Sequence, residues 1–168
     1  FLLGSGLEGA QLAARVGVGY AYAHHISPDD YVAAMRAYRE AFRPSRWASE
    51  PYAILAASVL CAETEEEAED LRRCVDLQFI RFGQGLRDLP MPSIEEARAY
   101  RFDSEEEVFR ASSRERHIIG TPAMVADVLS GMVERSGADE VMATSNIHDH
   151  EARKRSYTLV AKALGIGG

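Results

Sequence analysis

Two cysteines are all that the chain of 168 residues holds: Cys61 in an apolar strand-like run and Cys74 in a helix-like run. A pair cannot build the disulfide framework of a small secreted domain, so both are expected to be reduced and buried as small hydrophobes. Long apolar runs are lacking too. None approaches the roughly 20 residues of a membrane span, and Phe1 to Leu3 is too short for a signal-peptide core. The expectation is a cytoplasmic protein with no membrane partner. No basic stripe is visible, which sets nucleic acid aside as a partner. The net charge of -7 comes from acids in stretches such as ETEEEAEDLRR and SIEEARAYRFDSEEE, with arginines interleaved, and reads as solvated helix faces. No spaced third ligand accompanies His148-x-His150, so no metal is expected. No short-period repeat is present, which excludes a solenoid.

What is present is the composition of a globular chain, 46% apolar and 27% charged, large enough to bury a core. Phe1 to Gly4 reads as a short buried strand, and Gly9 to Val16 as a helix with Ala10, Leu12, Ala13 and Val16 inward. Tyr20 to Ala23 is a second strand. Ser27-Pro28-Asp29-Asp30 has the form of a helix start, with Ser as the cap, Pro first and acids in the first turn of a helix running to about Phe42. Met35, Tyr38 and Phe42 lie at helical spacing and are expected in the core. PYAILAASVLCA is the longest apolar run and predicts a strand covered on both faces.

Thr64-x-x-Glu67 then opens a long helix ending near Gly83 or Gly85, and Ser93-x-x-Glu96 opens a short one. The stretch from there to Arg116 carries no clear period. Thr121-Pro122 starts a helix closed by Gly137, Glu140 to Thr144 is a strand, and Asp149 caps a last helix running to Leu164. Strand and helix thus alternate in four units with no hairpin signal between strands, which predicts an α/β fold with a parallel sheet. Four such units suit either a small open sheet or half of an eightfold barrel, since a complete barrel takes roughly 250 residues.

The segments LLGSG-x-x-GAQLAARVG-x-x-YAYAHHISP, AYREAFRPS, EPYAILAASVLCAETEEEAEDL, HIIGTPAMVADVL and SGADEVMATSNIHDHEARKRSYTLVAKAL, in that order, resemble the luciferase-like flavin monooxygenases. The likeness spans nearly the whole chain and falls on the C-terminal half of that family's (β/α)8 barrel. With Phe1 opening the chain in place of an initiator methionine, an N-terminal half outside this sequence is expected. The resemblance implies a site at the C-terminal ends of the strands for reduced FMN. It also implies dioxygen as co-substrate, a C4a-peroxyflavin that oxygenates a small organic substrate, a flavin reductase as supplier, and a homodimer.

By the same resemblance Gly4, Ser5, Gly6 and Gly9 hold the FMN phosphate, and small residues that let backbone N–H groups approach an anion at a helix start fit that role. The family often has Ser at Gly6 and a neutral residue at Glu8; a carboxylate beside a phosphate is repulsive unless it points away. His24 falls where the family lines the flavin ring and is the catalytic candidate, as a hydrogen-bond donor or proton carrier. His25, His148 and His150 are candidates for substrate contact or the site mouth. Tyr20 and Tyr22 either reach a barrel interior or serve as packing, and Trp47 lies in a loop without an assigned role. Two other readings stand beside this one: a non-catalytic half-barrel that dimerises through its open strand edges, and a deazaflavin-dependent oxidoreductase of the same fold.

Overall fold

A computed structural model describes residues 1–166. Five strands and seven α-helices follow in the order β1 (Leu2–Gly4), α1 (Leu7–Val16), β2 (Tyr20–Ala23), α2 (Tyr31–Ala41), β3 (Ala53–Cys61), α3 (Glu65–Gly83), α4 (Ile94–Ala99), α5 (Ser104–Ser113), β4 (His117–Gly120), α6 (Pro122–Ser136), β5 (Glu140–Thr144) and α7 (His150–Ala163). The chain forms two compact units, one of residues 1–58 and 128–144, the other of residues 59–127 and the segment from Ser145 onward.

In the first unit β1 pairs β2, β2 pairs β3, and β3 pairs β5, all parallel. This is the sheet expected from the βα alternation, and with its helices it has the architecture of about half a TIM-type barrel. All of β3 is buried, in keeping with a run that is apolar except for Ser58. On the helix side, Tyr20 and Tyr22 of β2 are fully buried against Tyr38 and Tyr31 of α2, with ring centroids 5.5 and 6.4 Å apart. Both tyrosines are therefore packing residues that face helices. Met35 and Tyr38 are buried as expected.

Three expectations in this unit are corrected. Leu3 of β1 is 68% exposed, so β1 is covered on one face only; among the described residues its strand neighbour is β2. The buried face of α1 is Ala10, Ala13 and Ala14, where small side chains allow close packing, while Leu12 and Val16 are exposed. Helix α2 begins at Tyr31 with Asp30 as its cap residue, leaving Ser27-Pro28-Asp29 in the preceding bend. Gly17 ends α1: at φ 73° it occupies the left-handed region, and a Cβ there would lie 2.4 Å from the Arg43 carbonyl oxygen.

The second unit holds α3, α4, α5, β4 and α7. Its core gathers Leu60, Leu71, Val75, Ile119 and Ile147. Thr64 accepts a hydrogen bond from the Glu67 backbone N–H, Ser93 and Glu96 form a reciprocal capping box, and Asp149 accepts from the Ala152 N–H at 2.7 Å. Those starts follow the sequence signals. Helix α5 and strand β4 were not foreseen. β4 forms at the end of β3, where the Ala62 N–H donates to the Gly120 carbonyl, a non-local pairing with no local period to announce it.

The acidic face of α3 is also not wholly solvated. Asp76 is buried and accepts from Arg110 at 2.8 Å, and Asp70 is buried and accepts from Arg98 at 2.7 Å. The Arg110 guanidinium stacks 4.1 Å over the Phe102 ring, and burial pushes the Asp76 carboxyl up against the pull of Arg110. Cys61 and Cys74 are free and buried. Among the described residues no helix is long and apolar enough to cross a membrane, and no group of three His, Cys, Asp or Glu is placed to hold a metal ion.

Candidate functional site

Parallel pairing aligns the C-terminal ends of β1 and β2. Gly4 stands opposite Tyr22, two residues before His24, so the glycine turn and the histidines emerge at the same edge of the sheet. That edge is where strand-end loops of parallel sheets bind ligands.

Helix α1 starts there without a cap. Gly6 is the cap residue in an extended conformation, and among the described residues no side chain caps the first N–H groups of the helix. Only the fourth turn position is closed from within, by the Ala10 N–H donating to the Gly6 carbonyl at 3.3 Å. Close approach bears on one of the glycines: a Cβ on Gly4 would lie 3.2 Å from the Tyr20 hydroxyl, whereas one on Gly9 would meet the Gly4 Cα at an ordinary 3.5 Å. The turn is braced from the strand beneath. The Tyr20 hydroxyl donates to the Gly6 carbonyl at 3.1 Å, and the Tyr22 hydroxyl lies 2.9 Å from the Ser27 carbonyl and 3.2 Å from that of Ser5, bridging the two loops of this edge. Burial, then the neighbouring Tyr22, pushes the Tyr20 phenol up to about 12, so it stays protonated and donating. These braces went unread in YAYA, although period-two tyrosines after a glycine turn are the signal that points to them.

Positive helix-end character, bare N–H groups and absent Cβ atoms suit a phosphate. Glu8 works against it. Its carboxylate oxygen lies 3.5 Å from where a Gly6 Cβ would stand, beside the turn. The side chain is exposed and can swing away.

His24 is 5% exposed, its ring edge-on to Tyr31 at 5.4 Å, and its Nδ1 is buried without a hydrogen-bond partner. Burial, reinforced by neighbouring His25 and opposed by Asp29, lowers its pKa and keeps the ring neutral. His25 is half-buried, and its Nδ1 likewise lacks a partner. Two adjacent imidazoles with unused ring nitrogens therefore stand at the strand end.

His148 and His150 lie in the second unit, both exposed. The His148 Nδ1 sits 2.9 Å from the Met91 carbonyl; a carbonyl only accepts, so in the neutral ring Nδ1 carries the proton and Nε2 is an acceptor. His150 is the reverse. Its Nδ1 lies 2.9 Å from an Arg153 guanidinium nitrogen, which only donates.

A family model described as luciferase-like monooxygenase matches residues 1–140. The protein YceB of Bacillus subtilis (strain 168) is 40% identical over 96% of this chain and 49% of its own length. The chain thus spans about half the length of such curated relatives. The crystal structure of apo-MsnO8 superposes with a TM-score of 0.89 at 37% identity, covering 98% of this chain and 50% of that one. The oxygenating constituent of 3,6-diketocamphane monooxygenase from Pseudomonas putida, in complex with FMN, shares the fold, with a TM-score of 0.55 at 19% identity over 96% of this chain and 46% of that one.

Proposed function

Because the chain belongs to the luciferase-like monooxygenase family, we propose that it forms the flavin-phosphate-holding part of a monooxygenase that uses reduced FMN and dioxygen to oxygenate a small organic substrate. The observation that carries this reading is the uncapped start of α1 at the C-terminal edge of the sheet, beside two histidines with unused ring nitrogens. When bound, reduced flavin supplies the electrons that activate dioxygen.

The residues of this chain do the rest. Backbone N–H groups at Gly6 to Gly9, with the Ser5 hydroxyl, bind the phosphate, and Tyr20 and Tyr22 hold that turn at its height above β2. His25, the more accessible imidazole, contacts the ligand and holds or releases a proton at a ring nitrogen. His24, neutral and locked on Tyr31, positions it. A complete barrel, a separate reductase supplying reduced flavin, and a homodimer complete the proposal. Fold neighbours include one in complex with FMN and one with an F420 adduct, so the choice between FMN and a deazaflavin is made by titration.

Anaerobic titration with reduced FMN, reduced riboflavin and a reduced deazaflavin tests it. Saturable binding that prefers FMN and weakens on Ser5→Ala supports the reading; equal affinity for FMN and riboflavin removes the phosphate from this turn. A second reading, a non-catalytic half-barrel that self-associates, draws on the exposed Phe1, Leu3, Leu12 and Val16. Concentration-dependent dimerisation with no flavin binding would favour it.

A further inference from the structure

The second unit contains a hollow of about 250 Å³ with no part in the flavin reading. Its wall is almost wholly apolar, built from Leu71, Cys74, Met91, Ile94, Ile147 and Ala152. A smaller hollow of about 120 Å³ shares Leu71, Ile94 and Ala152 with it. We propose that this hollow binds a neutral aromatic ligand of two fused rings that bears one hydroxyl or N–H donor, with His148 as the acceptor for that donor.

Size, polarity and charge each narrow the ligand. An aliphatic-lined cavity of about 150 Å³ stays dry and binds benzene, so the larger hollow takes a second fused ring. Packing matters as much as area here, since an unfilled apolar wall forfeits its dispersion contacts. The polar positions sit at the rim, where Glu95 and Asp149 supply two carboxylates and disfavour an anionic ligand. Asp149 is held in place by its bond to the Ala152 N–H, and Ser93 by accepting from Glu96. His148 is also fixed: with Nδ1–H given to the Met91 carbonyl, Nε2 is left to accept. A donor on an apolar body therefore finds at His148 an acceptor already held in place. The Cys74 thiol in the wall, raised to about 11 chiefly by burial, behaves as an apolar surface and not as a nucleophile.

The test uses the ¹⁵N-labelled chain of 168 residues titrated with 2-naphthol, naphthalene and 2-naphthoate, without any flavin. The expected result is saturable amide shifts centred on Cys74, Ile94, Ile147 and Ala152 with 2-naphthol. Naphthoate should bind at least about tenfold more weakly, as befits two rim carboxylates. Ala152→Phe, which fills the shared wall, should weaken naphthol by about tenfold or more with the remaining spectrum unchanged. His148→Phe should bring naphthol down to the affinity of naphthalene. No saturable shift up to the solubility limit, shifts confined to Leu3, Leu12 and Val16, equal binding of naphthoate, or indifference to Ala152→Phe would each overturn the proposal. Because no flavin enters the readout, its failure leaves the flavin reading standing, and loss of flavin binding leaves this one standing.

Discussion

Replacing Glu8 by Gln should strengthen FMN binding and leave riboflavin binding unchanged. The carboxylate lies 3.5 Å from the Cβ position of Gly6, so a phosphate seated on that turn has it as a near neighbour. With the carboxylate swung outward to about 6 Å, the repulsion in water is ~0.7 kcal/mol for each pair of unit charges. A phosphomonoester carries about 1.5 to 2 negative charges, raising this to ~1.2 kcal/mol. Screening over a Debye length of about 8 Å at physiological salt leaves roughly half. The expected gain is therefore about threefold at physiological salt and up to about tenfold at low salt. Quenching of FMN fluorescence at two ionic strengths, with riboflavin as the control lacking phosphate, reads it directly. A variant that changes both ligands equally, or changes FMN binding without any salt dependence, would refute phosphate placement at this turn.

Other outcomes follow from the same geometry. Arg110→Ala strands Asp76 in the second unit without its buried partner and should cost about 3–5 kcal/mol, read as a fall in the urea midpoint; a change under about 1 kcal/mol would mean that water compensates the carboxylate. The folded pKa of His24 lies below the ordinary 6.5, so the unfolded chain takes up its proton first as pH falls. Stability should thus be flat above about pH 6.5 and decline below it, and His24→Phe should remove part of that slope; an unchanged slope would remove His24 as its source. Burial raises the Cys61 and Cys74 thiols, so iodoacetamide at about pH 8 should modify neither until denaturant is added. Rapid native labelling would show the second unit to be open. Tyr20→Phe deletes the bond to the Gly6 carbonyl and should cost about 1 kcal/mol, with weaker FMN binding if the brace holds the turn.

Much of this protein was legible in one dimension because the signals are short-range. Helix starts at Thr64, Ser93 and Asp149 depend on a side chain reaching an N–H two or three residues away, and all three formed. The long apolar run of β3 and the bounds of β5 needed no partner to be read. Family membership was legible too, since the glycine turn, the paired histidines and the capped helices recur in order along the chain.

Which face an element buries was not legible, because burial is decided by what lies opposite. Leu3 and Leu12 look like core residues by period and are exposed, since none of the described residues covers that side of β1 and α1. Asp70 and Asp76 look like surface acids and are buried, because arginines 28 and 34 residues away fold back onto them. Likewise β4 exists only where β3 offers it a neighbour, and the Tyr20 and Tyr22 hydroxyls become braces only once parallel pairing sets β2 beside β1. Local hydrogen bonding was thus written in the sequence itself, whereas exposure, ion pairing and the assembly of the strand-end site were settled by contacts between residues far apart in the chain.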